Sequence, residues 1–285
     1  MRIAYNEATC RERSSLEGDL CLCRKYGVKE IELRFDMIER YLACHSVKEF
    51  QGLFRDSGVR PITLNAIFNI NFLTEIRRRD IAEQMRRAGQ IGRWIGANCV
   101  IVLPSDGEAT GRHAWPSIRE DSIQNLRWLA QIGATDGMRV AFEPIGAKER
   151  CVRSISAAWE IVRAVAREDV GLALDAYNLY MYDGLRDVND IAQIDPKKVF
   201  IVHLDDADAN IPYGRLGTFD RKLPGDGSID LKTFVAQFEA LGYEGPYSIE
   251  ILNQQYWQRT PEALFHEALE KTRKLMKDLE RERRV

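Results

Sequence analysis

Histidine is scarce in this 285-residue sequence: four are present, at positions 45, 113, 203 and 266. That supply argues against a cluster of metals held by many imidazoles, the kind of site that cleaves phosphodiesters. The six cysteines include no CxxC pair and no zinc-finger spacing, and Cys21-Leu22-Cys23 is too tight for an ordinary bridge. They read as reduced thiols of a cytoplasmic protein. No apolar run is long enough to span a bilayer, and Met1-Arg2-Ile3 runs straight into a strand, so neither a membrane partner nor a signal peptide is expected. Charge of one sign is also missing. The formal net charge is -2, and the basic runs Arg77-Arg78-Arg79 and Arg86-Arg87 have acidic residues nearby. These read as solvated helix faces, with no nucleic-acid partner. Finally, no GxGxxG follows an early strand, which disfavours an open dinucleotide-binding sheet.

What is present is an alternation of short apolar strands with longer amphipathic helices. Strands are expected over residues 3–6, 30–33, 60–65, 99–103, 139–143, 170–175, 199–203 and 247–250, each flanked by turn chemistry. Helices are expected over 16–26, stopped by Gly27, and over 46–54, with Ser46 and Glu49 as a capping box. Further helices are expected over 75–95, 122–132, 154–166, a short one around 188–194, and 231–241 before Gly242. The last opens at Thr260-Pro261-Glu262, an N-cap followed by proline. Eight strands alternating with helices and no long linker imply a parallel sheet. Eight is also the number that closes a (β/α)8 TIM barrel, an α/β fold here taken as one domain over residues 1–285.

In such a barrel the chemistry sits at the carboxyl ends of the strands. In the second half these ends read "RVAFEP", "LALDAY", "VFIVHLDD" and "YSIEIL", so the terminal polar residues are Glu143, Asp175, His203 and Glu250. Three carboxylates converging without a cation would repel strongly. One divalent metal relieves that, and one imidazole with three carboxylates is a mixed N/O set suited to Mn, Mg, Zn, Co or Fe. Asn6 and Glu7 after the first strand, Glu32 and Arg34 at the second and Asn65 at the third point to the same mouth. Glu149 lies on the loop after strand five. After strand seven, Pro224-Gly225-Asp226-Gly227 is placed to turn Arg221 back toward the site. Loop aromatics including Phe68, Phe72, Tyr256 and Trp257 offer walls for a sugar-sized pocket.

With these pieces assembled, the chain resembles the xylose-isomerase-like TIM-barrel superfamily of sugar isomerases and epimerases, on the inosose (2-keto-myo-inositol) isomerase side. The resemblance rests on "YNEAT", "IELR", "LNAIF", "AFEPIG", "VGLALDAYN", "FIVHLDD", "DRKLPGDGSIDL" and "YSIEIL", which together cover nearly the whole sequence. It implies that Glu143, Asp175, His203 and Glu250 ligate one divalent metal and that Glu143 and Glu250 shuttle protons. It further implies that Glu149 and Arg221 bind a small ketopolyol substrate, and it makes a homo-oligomer plausible. Asn178 stands where many relatives carry a histidine, so that position accepts and donates hydrogen bonds but supplies no acid or base. The expected reaction is isomerisation of a cyclic ketopolyol through a metal-stabilised enediolate. Ketose 3-epimerisation and dehydroshikimate-type dehydration use the same site, and a non-catalytic sugar-binding barrel is the non-enzyme alternative.

Overall fold

The computed structural model describes residues 1–106 and 113–282. Parallel strands β1 (Arg2–Asn6), β2 (Glu30–Arg34), β3 (Arg60–Ile67), β4 (Cys99–Val102), β5 (Arg139–Phe142), β6 (Val170–Asp175), β7 (Val199–Leu204) and β8 (Pro246–Ile249) pair in order. β8 closes on β1, which makes the (β/α)8 barrel. Helices α1 (Leu16–Tyr26), α2 (Phe35–Leu42), α3 (Val47–Ser57), α4 (Glu75–Ile95), α5 (Trp115–Gly133), α6 (Ile155–Val165), α7 (Ala176–Asp183), α8 (Leu231–Leu241) and α9 (Pro261–Glu282) run between and after the strands. None of the described helices is long and apolar enough to cross a membrane.

The two faces of each strand have separate tasks. Outward residues join a large core beneath the helices. Inward residues form a distinct small layer of Ala4, Ile62, Cys99, Ile101, Ala141, Ala173 and Ile201. Side chains alternate along a strand, so the residue two places further on returns to the lumen. Two places past Ala4, Ala141, Ala173 and Ile201 stand Asn6, Glu143, Asp175 and His203, and two past the buried Ser248 stands Glu250. The barrel is thus filled by small and branched apolar groups below and capped by polar groups above.

The helix ends follow the expected chemistry. Ser15 caps α1, which stops at Gly27 in the left-handed region (φ 75°). Ser46 and Glu49 form the anticipated capping box on α3. Three expectations need correction. Helix α5 begins at Trp115 rather than near 122, because Pro116 occupies its first turn and the polar run Arg119-Glu120-Asp121 masks the periodicity. The stretch around 188–194 is a 3-10 turn over Val188–Gln193, not an α-helix. Helices α2 and α7 went unanticipated because no turn residue separates them from β2 and β6. Asp175 ends β6 and also caps α7, accepting a 2.6 Å bond from the Asn178 N–H.

Candidate metal centre

Four side chains with metal-ligating chemistry meet at the top of the lumen. Glu143, Asp175, His203 and Glu250 each offer one ligand atom, and these atoms all lie within 4.8 Å of one another. Strand register explains part of this meeting: Asp175 and His203 are direct cross-strand neighbours, and Ser248 flanks His203 on the other side. His203 Nδ1 lies 3.3 Å from Glu250 Oε2, 3.7 Å from Glu143 Oε1 and 3.8 Å from Asp175 Oδ2. Its Nε2 turns the other way, 3.1 Å from Glu32 Oε1 across the barrel.

Glu32 fixes the protonation of this ring. Burial alone would raise its pKa, but the charge and hydrogen bond of His203 outweigh burial and bring it down to about 2. An ionised carboxylate only accepts, so Nε2 must carry the proton it donates to Glu32. Thr63 and Asn65 also donate to Glu32 Oε2. Nδ1 is left facing three carboxylates. Neither Nδ1 nor Asp175 Oδ2 has a hydrogen-bond partner among the described residues, although both are buried. Something positive belongs between them. Burial disfavours imidazolium here, yet Glu32 and Glu250 hold the His203 pKa well above its usual value. A divalent cation meets the same demand with a donor set of ordinary mixed N/O chemistry, and Glu32 is the carboxylate partner that metal-bound histidines usually have.

Amides hold two of the carboxylates in place. Asn178 Nδ2 donates to Glu143 Oε1 at 3.0 Å, and Asn6 Nδ2 donates to Glu250 Oε1 and Glu32 Oε1, each at 3.1 Å. Burial raises both proton-binding groups: Glu143 moves up, with His203 opposing, and Glu250 reaches about 7 against the pull of His203 and Arg221.

Arg221 is the fixed positive charge of the site. It is buried, with Nε 2.9 Å from Asp205 Oδ2, Nη2 3.5 Å from Asp175 Oδ2 and Nη1 3.8 Å from Glu250 Oε2. Its guanidinium lies 5.0 Å over the Tyr177 ring. The loop that brings it there is tied to Asp206, whose carboxylate accepts N–H bonds from Gly225, Gly227 and Ile229 at 2.8–3.0 Å. A Cβ on Gly227 would meet Ala207 O at 2.1 Å, so only glycine lets the turn approach so closely. Asp205 and Asp206 were not singled out from the sequence. They follow His203 in "FIVHLDD", and their roles appear only once residues 221–229 fold back.

Two of the four residues, Glu143 and Glu250, open onto a cavity of about 530 Å³ whose lining also includes Asn178, Arg221 and Asn65. Other candidates stand elsewhere. Asn6 is fully buried, beneath Glu250 rather than in the cavity wall. Glu149 is exposed and does not line the cavity; its neighbour Arg150 does, drawn inward by bonds to Asn69 Oδ1 and Pro104 O. Trp257 is also outside the lining, with its indole N–H on Thr9 O and its ring against Phe219. Phe68 is at the cavity, whereas Phe72 is stacked on His113.

Comparison with known proteins adds to this geometry. Residues 20–275 match the family model for the xylose isomerase-like TIM barrel. An inosose isomerase of Bacillus velezensis is 32% identical over 273 residues, covering 95% of this chain and 96% of that protein. A 3-dehydroshikimate dehydratase of Pseudomonas aeruginosa is 30% identical over 217 residues, 74% of this chain but 32% of that longer protein. A crystal structure of IOLI protein with a zinc atom bound superposes with a TM-score of 0.93 at 29% identity, covering 98% of this chain and 99% of that one.

Proposed function

Because the chain belongs to the xylose isomerase-like TIM barrel family, we propose that it is a divalent-metal-dependent isomerase of a cyclic ketopolyol of the inosose type. The observation that carries this reading is the buried Nδ1 of His203, which has no hydrogen-bond partner among the described residues and faces three carboxylates at the mouth of a closed barrel. Inosose isomerases that align along nearly their whole length support the substrate class.

Glu143, Asp175, His203 and Glu250 would hold one ion, of manganese, magnesium, zinc, cobalt or iron. Such an ion supplies Lewis-acid polarisation of a substrate carbonyl and offsets the negative charge that grows on its oxygens. The chain's own residues supply the rest. Glu143 and Glu250 come from β5 and β8, on either side of His203, and each has one oxygen anchored by an amide. One of them takes the proton from the carbon bearing the hydroxyl, and a proton is returned to the former carbonyl carbon. The hydroxyl oxygen becomes the new carbonyl and gives up its proton, while the old carbonyl oxygen gains one. The ketone moves by one position. Burial raises both carboxylates, Glu250 to about 7, as suits groups that accept and return protons. Arg221, Asn65 and Asn178 line the cavity where they orient substrate hydroxyls, and Asn178 offers no proton of its own.

Two measurements test this. Metal analysis of the purified protein should find one divalent ion per chain, lost in Glu250→Gln. Solvent deuterium should enter 2-keto-myo-inositol with migration of the ketone. Exchange with return to the same carbon would instead mark an epimerase, loss of a hydroxyl a dehydratase, and no exchange with any ketone a binding protein.

A further inference from the structure

The seam of the barrel lies where β8 meets β1, and Glu250 sits just past it. The ladder between these strands ends at Tyr5 opposite Ile249. Glu250 is the next residue on its side, while the other chain leaves the sheet in a 3-10 turn over Glu7–Thr9. On the β7 side the Glu250 N–H reaches Leu204 O at a long 3.4 Å.

Thr9, the last residue of "YNEAT", takes the place that β1 vacates. Its Oγ1 donates to Ile249 O at 3.0 Å and accepts from the Ile251 N–H at 3.1 Å. In a parallel ladder a residue donates its N–H to the carbonyl before its partner and accepts from the N–H after it. A hydroxyl both donates and accepts, so this one reproduces both bonds of a β1 residue paired with Glu250. Thr9 is fully buried and is itself fixed, because its carbonyl accepts the Trp257 indole N–H at 3.1 Å. Asn6 Oδ1 accepts from the Ala8 N–H at 2.9 Å, which turns the Asn6 amide nitrogen toward Glu250. The turn from Asn6 to Thr9 therefore holds Glu250 twice. Asn6 holds the carboxylate, and Thr9 holds the main chain on both sides of it. Valine at position 9 would keep the shape but leave a buried carbonyl and a buried N–H without their partner.

We propose that Thr9 is a positioning residue for Glu250: its hydroxyl stands in for a strand that ends one residue too early and sets where that carboxylate lies in the group of four. The roles of Glu250 as ligand and proton carrier rest on the isomerase reading above; its placement by Thr9 does not.

The test compares Thr9→Val and Thr9→Ser with the parent, and uses Thr272→Val as control. Thr272 is equally buried, and its hydroxyl bonds Ala268 O within α9, so its variant reports the cost of losing a buried hydroxyl as such. Zn²⁺ affinity is measured by chelator competition. Values of kcat and KM for 2-keto-myo-inositol are measured by solvent deuterium exchange at saturating metal. Thr9→Val should lose about 10-fold or more in metal affinity and about 10- to 100-fold in kcat, with KM within about two-fold. Thr9→Ser should restore most of both, and Thr272→Val should change neither. A loss in either readout that serine restores supports the proposal. Parity of Thr9→Val with Thr272→Val in both overturns it, as does a loss that Thr9→Ser shares in full, which would assign Thr9 to packing. A parent that exchanges no ketone, with metal affinity still lost in Thr9→Val, removes the isomerase and keeps the role of Thr9. If the parent also binds no ion, crystal structures of parent and Thr9→Val decide. A Glu250 carboxylate moved off Asn6 in the variant supports the proposal, and one left in place overturns it.

Discussion

Glu32 shows how far a single side chain outside the ligand set governs it. It is fully buried and fixes the His203 ring by binding Nε2, so that Nδ1 points at Glu143, Asp175 and Glu250. Glu32→Gln keeps the shape and an acceptor but removes the charge behind the imidazole. Affinity for Zn²⁺ or Mn²⁺ should fall about 10- to 100-fold, measured by competition with a chelating dye; unchanged affinity would reduce Glu32 to a packing residue. At this scale the sequence was informative where a polar residue closes an apolar run, as in "LALD" or "VFIVH", because burying such a residue at a strand end demands a reason. It was silent on Asp205 and Asp206, which lie in one acidic pair yet have opposite tasks, one against Arg221 and the other beneath the Gly225–Gly227 turn. It pointed to Glu149 and passed over Arg150, which lines the cavity instead, since only the folded loop decides which of two adjacent charged residues turns inward.

Secondary elements carry the site to its place. Helix α7 follows β6 without a connecting residue, and it is aromatic or apolar almost all round, from Tyr177 and Leu179 to Tyr180 and Met181. It offered no stripe to read, whereas α9, with Leu264, Ala268 and Thr272 on one face, did. The β5 loop docks on α7 at Gly146, where a Cβ would meet Asn178 O at 1.9 Å. Gly146→Ala should therefore separate Glu143 from Asn178, lowering kcat by ten-fold or more with a Tm loss of several degrees; wild-type kcat would show that the contact yields freely. A second element-scale prediction concerns pH. Asp187 accepts a bond from the first N–H of α6, but burial, reinforced by Asp183, raises its pKa to about 6. A carboxyl whose folded pKa exceeds its unfolded value favours folding only when protonated. Its penalty is absent below about pH 4, grows as pH rises toward 6, and stays constant above. Asp187→Asn should thus be more stable than the parent at pH 8, by about 1 kcal/mol after allowance for partial exposure, with the difference vanishing in denaturant titrations near pH 4.

For the whole molecule, an ion that binds only the folded barrel shifts unfolding by mass action. Saturation at 100 times Kd should stabilise by about 2.7 kcal/mol. Tm should rise with added Zn²⁺ or Mn²⁺ and fall back with chelator, and Glu250→Gln should lose the response; a metal-independent Tm in the parent would contradict the four-residue site. The alternation that predicted the barrel was legible because each strand is short, apolar and separated from the next by a helix, so few other topologies fit. Closure has a consequence in time. Asn6 of β1 bonds Glu250 beyond β8, 244 positions away in sequence. A growing or partly folded chain that has not yet seated its eighth strand lacks Glu250 and the Asn6 bond that holds it. Tight metal uptake then reports on completion of the ring, and a ribosome-bound chain stalled before residue 246 should ignore an ion that the released chain captures.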